Sequence, residues 1–235
     1  MAVIYAVGVG PGDPELLTRK AERILRSADV ILAPVSNPAD ASVALGTIKE
    51  FIDETRQEII IHQFPMTSDK SRLMPAWQEA AALMAARAEA GRSVAFVTIG
   101  DPLFYSTFIY LLRILREQWP QLPIEIIPGI SSINAAAAEA ALPLVEGDEK
   151  MVVVPATAGI EQIAAALAHH ETVVLLKVKP LYTEILQLLR ATGREQSTVF
   201  VERVGSPRQK ILTDFSEIAA HSPDYLSLMI IKHIL

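Results

Sequence analysis

Cysteine is absent from this 235-residue chain, which excludes disulfides, thiolate metal sites and cysteine nucleophiles. Aromatic residues make up only 6% of it while Ala and Leu are abundant, a composition suited to helices packed on sheets. No apolar run approaches the roughly 20 residues that a membrane helix needs. The opening MAVIYAVGVG has no basic segment and breaks at glycine after a short apolar run, so it reads as a strand rather than a secretory signal. Basic residues are the minority, 21 Lys and Arg against 27 Asp and Glu, for a formal net charge of −6. That balance disfavours a broad nucleic-acid surface, although a local basic patch around a small ligand fits inside an acidic total. The expectation is a cytoplasmic protein with neither a nucleic-acid nor a membrane partner.

What is present is an alternation of strand and helix signals through the first half. VIYAVGV, DVILAP, EIIIHQF, SVAFVTI and PIEIIPG read as strands. Between them PELLTRKAERILRSA, ASVALGTIKEFIDE, Met74 to Ala90 and FYSTFIYLLRILREQW read as helices. Such alternation with short connections implies a mostly parallel sheet covered by helices on both faces. The second half changes texture. KMVVVPA, TVVLLKV, STVFVERV, QKILTDF and LSLMIIKHI are strand candidates, with helices at Ile160–His169, Leu181–Ala191 and Phe215–Ala219. More strands per helix points to a mixed sheet, and the boundary is placed at Pro128–Gly129.

Open parallel sheets bind ligands outside the carboxyl ends of their strands. Three loops leave strands through Gly and Pro: GVGPGDP (8–14), TIGDPLF (98–104) and IPGISS (127–132). Each alone is an ordinary strand-to-helix turn; three in one chain, two of them repeating Gly-Asp-Pro, suggest a site. A dinucleotide fingerprint would need glycine at position 13, which is Asp13, and an acid ending the second strand, whereas Asp29 begins it. A Walker loop would need Gly-Lys-Ser/Thr, and there is none. Asp13 and Asp101 would repel phosphate, and no Lys or Arg lies in either Gly-Asp-Pro loop. Glycines still allow a ligand close to the backbone. A neutral or cationic nucleoside fits, and S-adenosylmethionine, a phosphate-free sulfonium, answers that description.

VGVGPGDPELLT, TIGDPLFYST and IIPGISS, in that order, resemble the signatures of the tetrapyrrole methylase family. GDPLFYSTFIYLL followed by IPGISSINAAAAEAALPLVEGDEKMVVVPA more closely resembles its precorrin-2 carbon-20 methyltransferase branch, including the cobalt-factor II form. The resemblance runs from Ala2 to about Ile234. It implies two α/β domains, 1–128 with the mostly parallel sheet and the loops, and 129–235 with the mixed sheet completing the cofactor site. It also implies a cleft between them for S-adenosylmethionine, with S-adenosylhomocysteine as product, and a homodimer. The competing readings are a relative that methylates another corrin carbon or uroporphyrinogen III, a diphthine-type methylase, and a non-catalytic nucleoside-binding module.

Carried over by motif, the resemblance assigns Pro11, Ile99, Gly100, Asp101, Phe104, Ser131 and Ser132 to the methyl donor, together with Val178, Val204 and Ser227 around its adenosine. Ser131 and Ser132 also suit a helix N-cap. The implied substrate is a macrocycle with many carboxylates, which needs fixed cations. Lys177, Lys179, Arg203, Arg208 and Lys210 are the candidates, against a reading as solvated strand-end charges. Asp101 and Tyr105 are candidates for removing the proton after methylation, Asp101 being equally suited to capping a turn. The five histidines show no ligand spacing, and any cobalt would arrive within the macrocycle, so no protein-borne metal is expected.

Overall fold

A computed structural model describes residues 1–37, 41–67 and 69–232. The chain divides into two compact units, Met1–Ser131 and Ser132–Leu235. The division falls three residues beyond the expected boundary because Gly129 packs against the backbone of Gly8 and Gly100 in the first unit.

The first unit is a five-stranded sheet of β1 (Ile4–Gly8), β2 (Val30–Val35), β3 (Glu58–Gln63), β4 (Val94–Thr98) and β5 (Ile124–Ile127). The strands lie in the order β3-β2-β4-β1-β5, and every pairing is parallel. Successive side chains alternate between two buried faces. Ile4, Ala6, Val30, Leu32 and Phe96 pack with Trp77, Ala80, Ala81, Met84, Ala85 and Ala88 of α3 (Lys70–Glu89) and with Phe108, Leu111 and Leu115 of α4 (Phe108–Gln118). On the other face Val7, Ile31, Ala33, Ala95, Val97 and Ile127 meet Ala21, Ile24 and Leu25 of α1 (Arg19–Ser27) and Ala44 of α2 (Val43–Thr47). Burial on both faces is why these strands read as continuous apolar runs.

Four helices differ from expectation at their ends. The first splits: Asp13 caps a short 3-10 turn at Pro14–Leu16, Leu17 is extended, and Thr18 then caps α1 by accepting the N–H of Ala21 at 3.1 Å. The second gives way after Thr47, with Gly46 in its middle, to a 3-10 turn at Lys49–Phe51. The fourth starts at Phe108 rather than Phe104, because Tyr105 sits at φ 53°, outside helical geometry. α3 begins four residues earlier than expected, Asp69 capping it through Ser71 N–H.

The second unit opens with α5 (Ser132–Glu139), a helix that the strand-and-helix pattern did not mark out. Its sheet contains β6 (Met151–Pro155), β7 (Thr172–Leu176), β8 (Thr198–Glu202), β9 (Lys210–Leu212) and β10 (Ser227–Lys232) in the order β6-β7-β10-β8-β9. β6 and β7 are parallel, while β10 runs antiparallel to both β7 and β8, so the sheet is mixed. One face buries Val173, Leu175, Phe200, Met229 and Ile231 against α6 (Ile160–His169), α7 (Tyr182–Ala191) and α8 (Phe215–Ala220). The strand expected over QKILTDF is shorter, since Asp214 caps α8 at that point. The last three residues of the expected final strand and its tail, 233–235, lie outside the described residues.

At the strand-start edge of the first sheet, Glu58 accepts from Arg87 at 2.7 Å and also from Arg92, and the Arg87 pairing holds its carboxyl below the usual range against partial burial. A depressed carboxylate contributes stability that is complete above its unfolded-state pKa and is lost as pH falls through the folded one. Glu58→Gln should therefore lower stability by about 1–2 kcal/mol at neutral pH. The difference from the parent should shrink steadily in denaturant melts taken from pH 5 downward. A pH-independent difference would show that the ion pair is not its source.

Candidate active site

β4, β1 and β5 are adjacent, so the loops that follow them emerge side by side at one sheet edge. They touch through glycine backbone. A side chain at Gly129 would lie 2.1 Å from the Gly100 carbonyl oxygen, and one at Gly8 would lie 2.6 Å from that oxygen and from Gly129 N. Real Cβ contacts are never that short, so both positions require glycine. Gly100 N–H donates to Gly10 O at 2.7 Å, binding the first loop to the second. Asp101 binds the second to the third: Oδ2 accepts from Gly129 N–H at 3.0 Å and Oδ1 from Leu103 N–H at 2.8 Å.

Both oxygens of Asp101 hold backbone amides, so the carboxylate clasps the two loops together, the arrangement that the turn-capping reading describes. Asp13 has a similar task, accepting from Glu15 N–H at 2.9 Å. Behind the second loop, buried Ser106 faces Thr98 at 3.0 Å and accepts from Phe108 N–H at 3.2 Å. Neither residue was singled out from sequence, where an isolated Ser and Thr look like any turn.

Around this junction Pro11 is buried and Ile99 packs on the sheet. Gly100 differs from its two neighbours. It lies at φ +70°, and a Cβ there would meet nothing within 4 Å. Its freedom comes from space beside the backbone, and a ligand can use that space. Leu103, Phe104 and Tyr105 are exposed, the last two rings meeting edge to face at 4.9 Å. Ser131 and Ser132 are part-buried, and α5 starts at Ser132.

In the second unit the candidate positions also share one edge. Lys177–Val178 and Arg203–Val204 follow the ends of β7 and β8, and Ser227 begins β10 between them. Lys177 (φ 56°) and Arg203 (φ 48°) are both left-handed, a geometry costing about 1–2 kcal/mol in a residue with a side chain. Val178 and Val204 are buried, Val178 within the core, where its carbonyl accepts from Leu181 N–H at 3.2 Å. Ser227 is buried too, its hydroxyl donating to Asp224 O at 2.7 Å.

Arg203 is not a free cation. Its Nε donates to Asp224 Oδ2 at 2.6 Å and its backbone N–H to Leu226 O at 2.8 Å. Burial pushes the Asp224 carboxyl up, but the Arg203 guanidinium and the amides of Tyr225 and Leu226 together outweigh it and the net shift is downward. Beneath them buried Glu202 accepts from Asp224 N–H at 2.6 Å and lies 3.0 Å from His221 Nε2. Burial and the Glu202 charge push the Tyr182 phenol up to about 12, and its hydroxyl donates to Ile218 O at 2.7 Å. As a candidate substrate cation Arg203 is thus already paired with one carboxylate, Asp224. Lys179, Arg208 and Lys210 are exposed. No group of three or more His, Asp or Glu among the described residues is placed to hold a metal.

Comparison with known proteins follows the same lines. The sequence profile of the family described as Tetrapyrrole (Corrin/Porphyrin) Methylases matches residues 3–219. The chain is 34% identical to the cobalt-precorrin-2 C(20)-methyltransferase of Salmonella typhimurium, over 97% of this chain and 95% of the relative. It is 38% identical to a probable cobalt-precorrin-2 C(20)-methyltransferase of Methanocaldococcus jannaschii, with the same coverage of 97% and 95%. Among solved structures, uroporphyrin-III C-methyl transferase of Thermus thermophilus, in complex with S-adenosylhomocysteine, shares the fold at a TM-score of 0.70. The identity is 24%, with 99% of this chain and 98% of that one covered.

The three-glycine junction carries its own test. Gly129→Ala should destabilise the protein by about 2–3 kcal/mol or prevent folding, because backbone rather than a flexible side chain must move. Gly46→Ala, inside α2 with nothing near its Cβ, should instead be neutral or stabilising by about 0.5–1 kcal/mol. Thermal melts showing equal effects at the two positions would mean that the loops can separate at little expense.

Proposed function

The chain belongs to the tetrapyrrole methylase family, and on that premise we propose that it transfers a methyl group from S-adenosylmethionine to carbon 20 of precorrin-2 or cobalt-factor II, a step in building the corrin ring. The observation that carries the reading is the similarity, along nearly the whole chain, to two relatives named for carbon-20 methylation of cobalt-precorrin-2. The loop chemistry agrees with it. Space beside Gly100, a backbone-lined edge and Gly-Asp-Pro loops without Lys or Arg fit a donor that is cationic and carries no phosphate.

S-adenosylmethionine supplies a methyl on a sulfonium; the nucleophilic ring carbon forms the new C–C bond as the C–S bond breaks, the electron pair stays on sulfur, and the ring position loses its proton. No covalent enzyme intermediate is needed, in keeping with a chain without cysteine. The protein's task is to hold carbon, methyl and sulfur in line, where positioning can contribute about 7–11 kcal/mol. Pro11, Ile99, Gly100, Asp101 and Phe104 form the donor wall, Asp101 by fixing the loop rather than by moving a proton. Ser131 and Ser132 reach the methionine end, and Val178, Val204 and Ser227 meet the adenosine. Lys179 and Arg208, with Lys177, attract the macrocycle carboxylates from the edge of the second sheet. The enzyme acts in the cytoplasm as a homodimer.

Incubation with labelled S-adenosylmethionine and either sirohydrochlorin or its cobalt complex should yield a monomethylated product labelled at carbon 20. Label at another carbon, or transfer only to uroporphyrinogen III, would reassign it within the family. Gly100→Val should abolish detectable S-adenosylhomocysteine binding in calorimetry while the circular dichroism spectrum stays folded. Retained affinity would remove the second loop from the donor site. Lys179→Ala and Arg208→Ala should raise the Michaelis constant for the macrocycle several-fold, more than that for the donor, since each removes about one charge-assisted contact. Equal changes in both constants would make them ordinary solvated charges.

A further inference from the structure

The side chains on the second and third loops of the first unit are unusually apolar for a water-facing edge. Leu103 is 50% exposed, Phe104 41%, Tyr105 46% and Ile130 36%. They do not belong to independent loops. The Asp101 carboxylate takes the N–H of Leu103 on one oxygen and that of Gly129, the residue before Ile130, on the other. A single side chain thus fixes the backbone from which Leu103 and Ile130 project. Tyr105 adds a second, independent observation. Its backbone is left-handed, at φ 53°, although it bears a bulky side chain, and its ring is braced edge to face on Phe104. Strain of this kind persists where the surroundings impose it and clusters at functional positions.

We propose that Leu103, Tyr105 and Ile130 form the contact surface for one face of the tetrapyrrole ring, with Phe104 linking that surface to the donor wall. The inference rests on the substrate reading above. A conjugated macrocycle has two broad apolar faces and a carboxylate rim, and these two loops offer apolar groups without a Lys or Arg between Thr98 and Phe104 or between Ile127 and Ser132. They match the face and not the rim. Exposed apolar groups gathered in one rigid place favour such a ligand through the water released on contact. Tyr105 is accordingly a substrate contact through its ring, and its hydroxyl is not the group that takes the proton.

The test uses the full-length protein, with sirohydrochlorin titrated by visible absorbance and S-adenosylhomocysteine by calorimetry. Leu103→Ser and Ile130→Ser should each weaken sirohydrochlorin about tenfold while leaving S-adenosylhomocysteine within about twofold. Tyr105→Ser should lose macrocycle affinity about tenfold, whereas Tyr105→Phe, which keeps the ring, should lose far less. Tyr105→Gly relieves the backbone, so a normal melting temperature combined with weak sirohydrochlorin binding would separate a lost contact from a lost fold. Unchanged sirohydrochlorin affinity in Leu103→Ser and Ile130→Ser, or equal loss of both ligands, would overturn the proposal. A large fall in kcat for Tyr105→Phe would return the hydroxyl to the chemistry and overturn the assignment of that residue. If the parent protein binds S-adenosylhomocysteine but neither sirohydrochlorin nor its cobalt complex, the substrate reading itself fails, and this inference with it.

Discussion

The close approach of three backbones, at Gly8, Gly100 and Gly129, is the constraint on which the first unit's site depends. Neighbouring parallel strands are spaced by their hydrogen bonds, and the loops beyond them normally diverge because side chains need room. Here two positions lack a Cβ where one would overlap carbonyl oxygen or amide nitrogen. The loops can then share hydrogen bonds beyond the parallel strands, with Gly10 and Gly100 forming an antiparallel bridge of their own. A junction made of main chain has few rotamers to lose. It is rigid before a ligand arrives, which limits the entropy lost on binding.

Asp101 completes that junction with a side chain where the rest is main chain. One carboxylate satisfies two amides that would otherwise point at the ligand edge or at solvent. The second unit repeats the device in a different form. Glu202 and Asp224 hold the turn after β8 against the start of β10; Arg203 pairs with Asp224, while buried Glu202 takes the Asp224 amide and faces His221. Burying such charges is expensive unless each is paired and hydrogen-bonded, and here they are. At both edges acidic side chains shape backbone. This suits a methyl transfer that needs alignment more than it needs an enzyme nucleophile.

Much of this was legible in the chain itself. Apolar runs without alternation determined that the first sheet is parallel and covered on both faces, because only strands buried on both sides can dispense with polar residues. The rise in strands per helix marked the mixed sheet, and Gly and Pro clusters marked the three loops, since their backbone preferences are local. The order of the motifs determined the family resemblance. Helix ends were less legible: α4 starts only at Phe108 because Tyr105 is left-handed, and nothing in a tyrosine announces a positive φ. Only the tertiary structure decided which loops touch, because the adjacency of β4, β1 and β5 is set by strand order and not by sequence order. It also decided the partners of Asp101 and Arg203, which lie 28 and 21 residues away. A carboxylate or a guanidinium reads the same in sequence whether it awaits a ligand or already holds the chain. The difference lies in hydrogen bonds formed across the fold, between segments that sequence spacing does not relate.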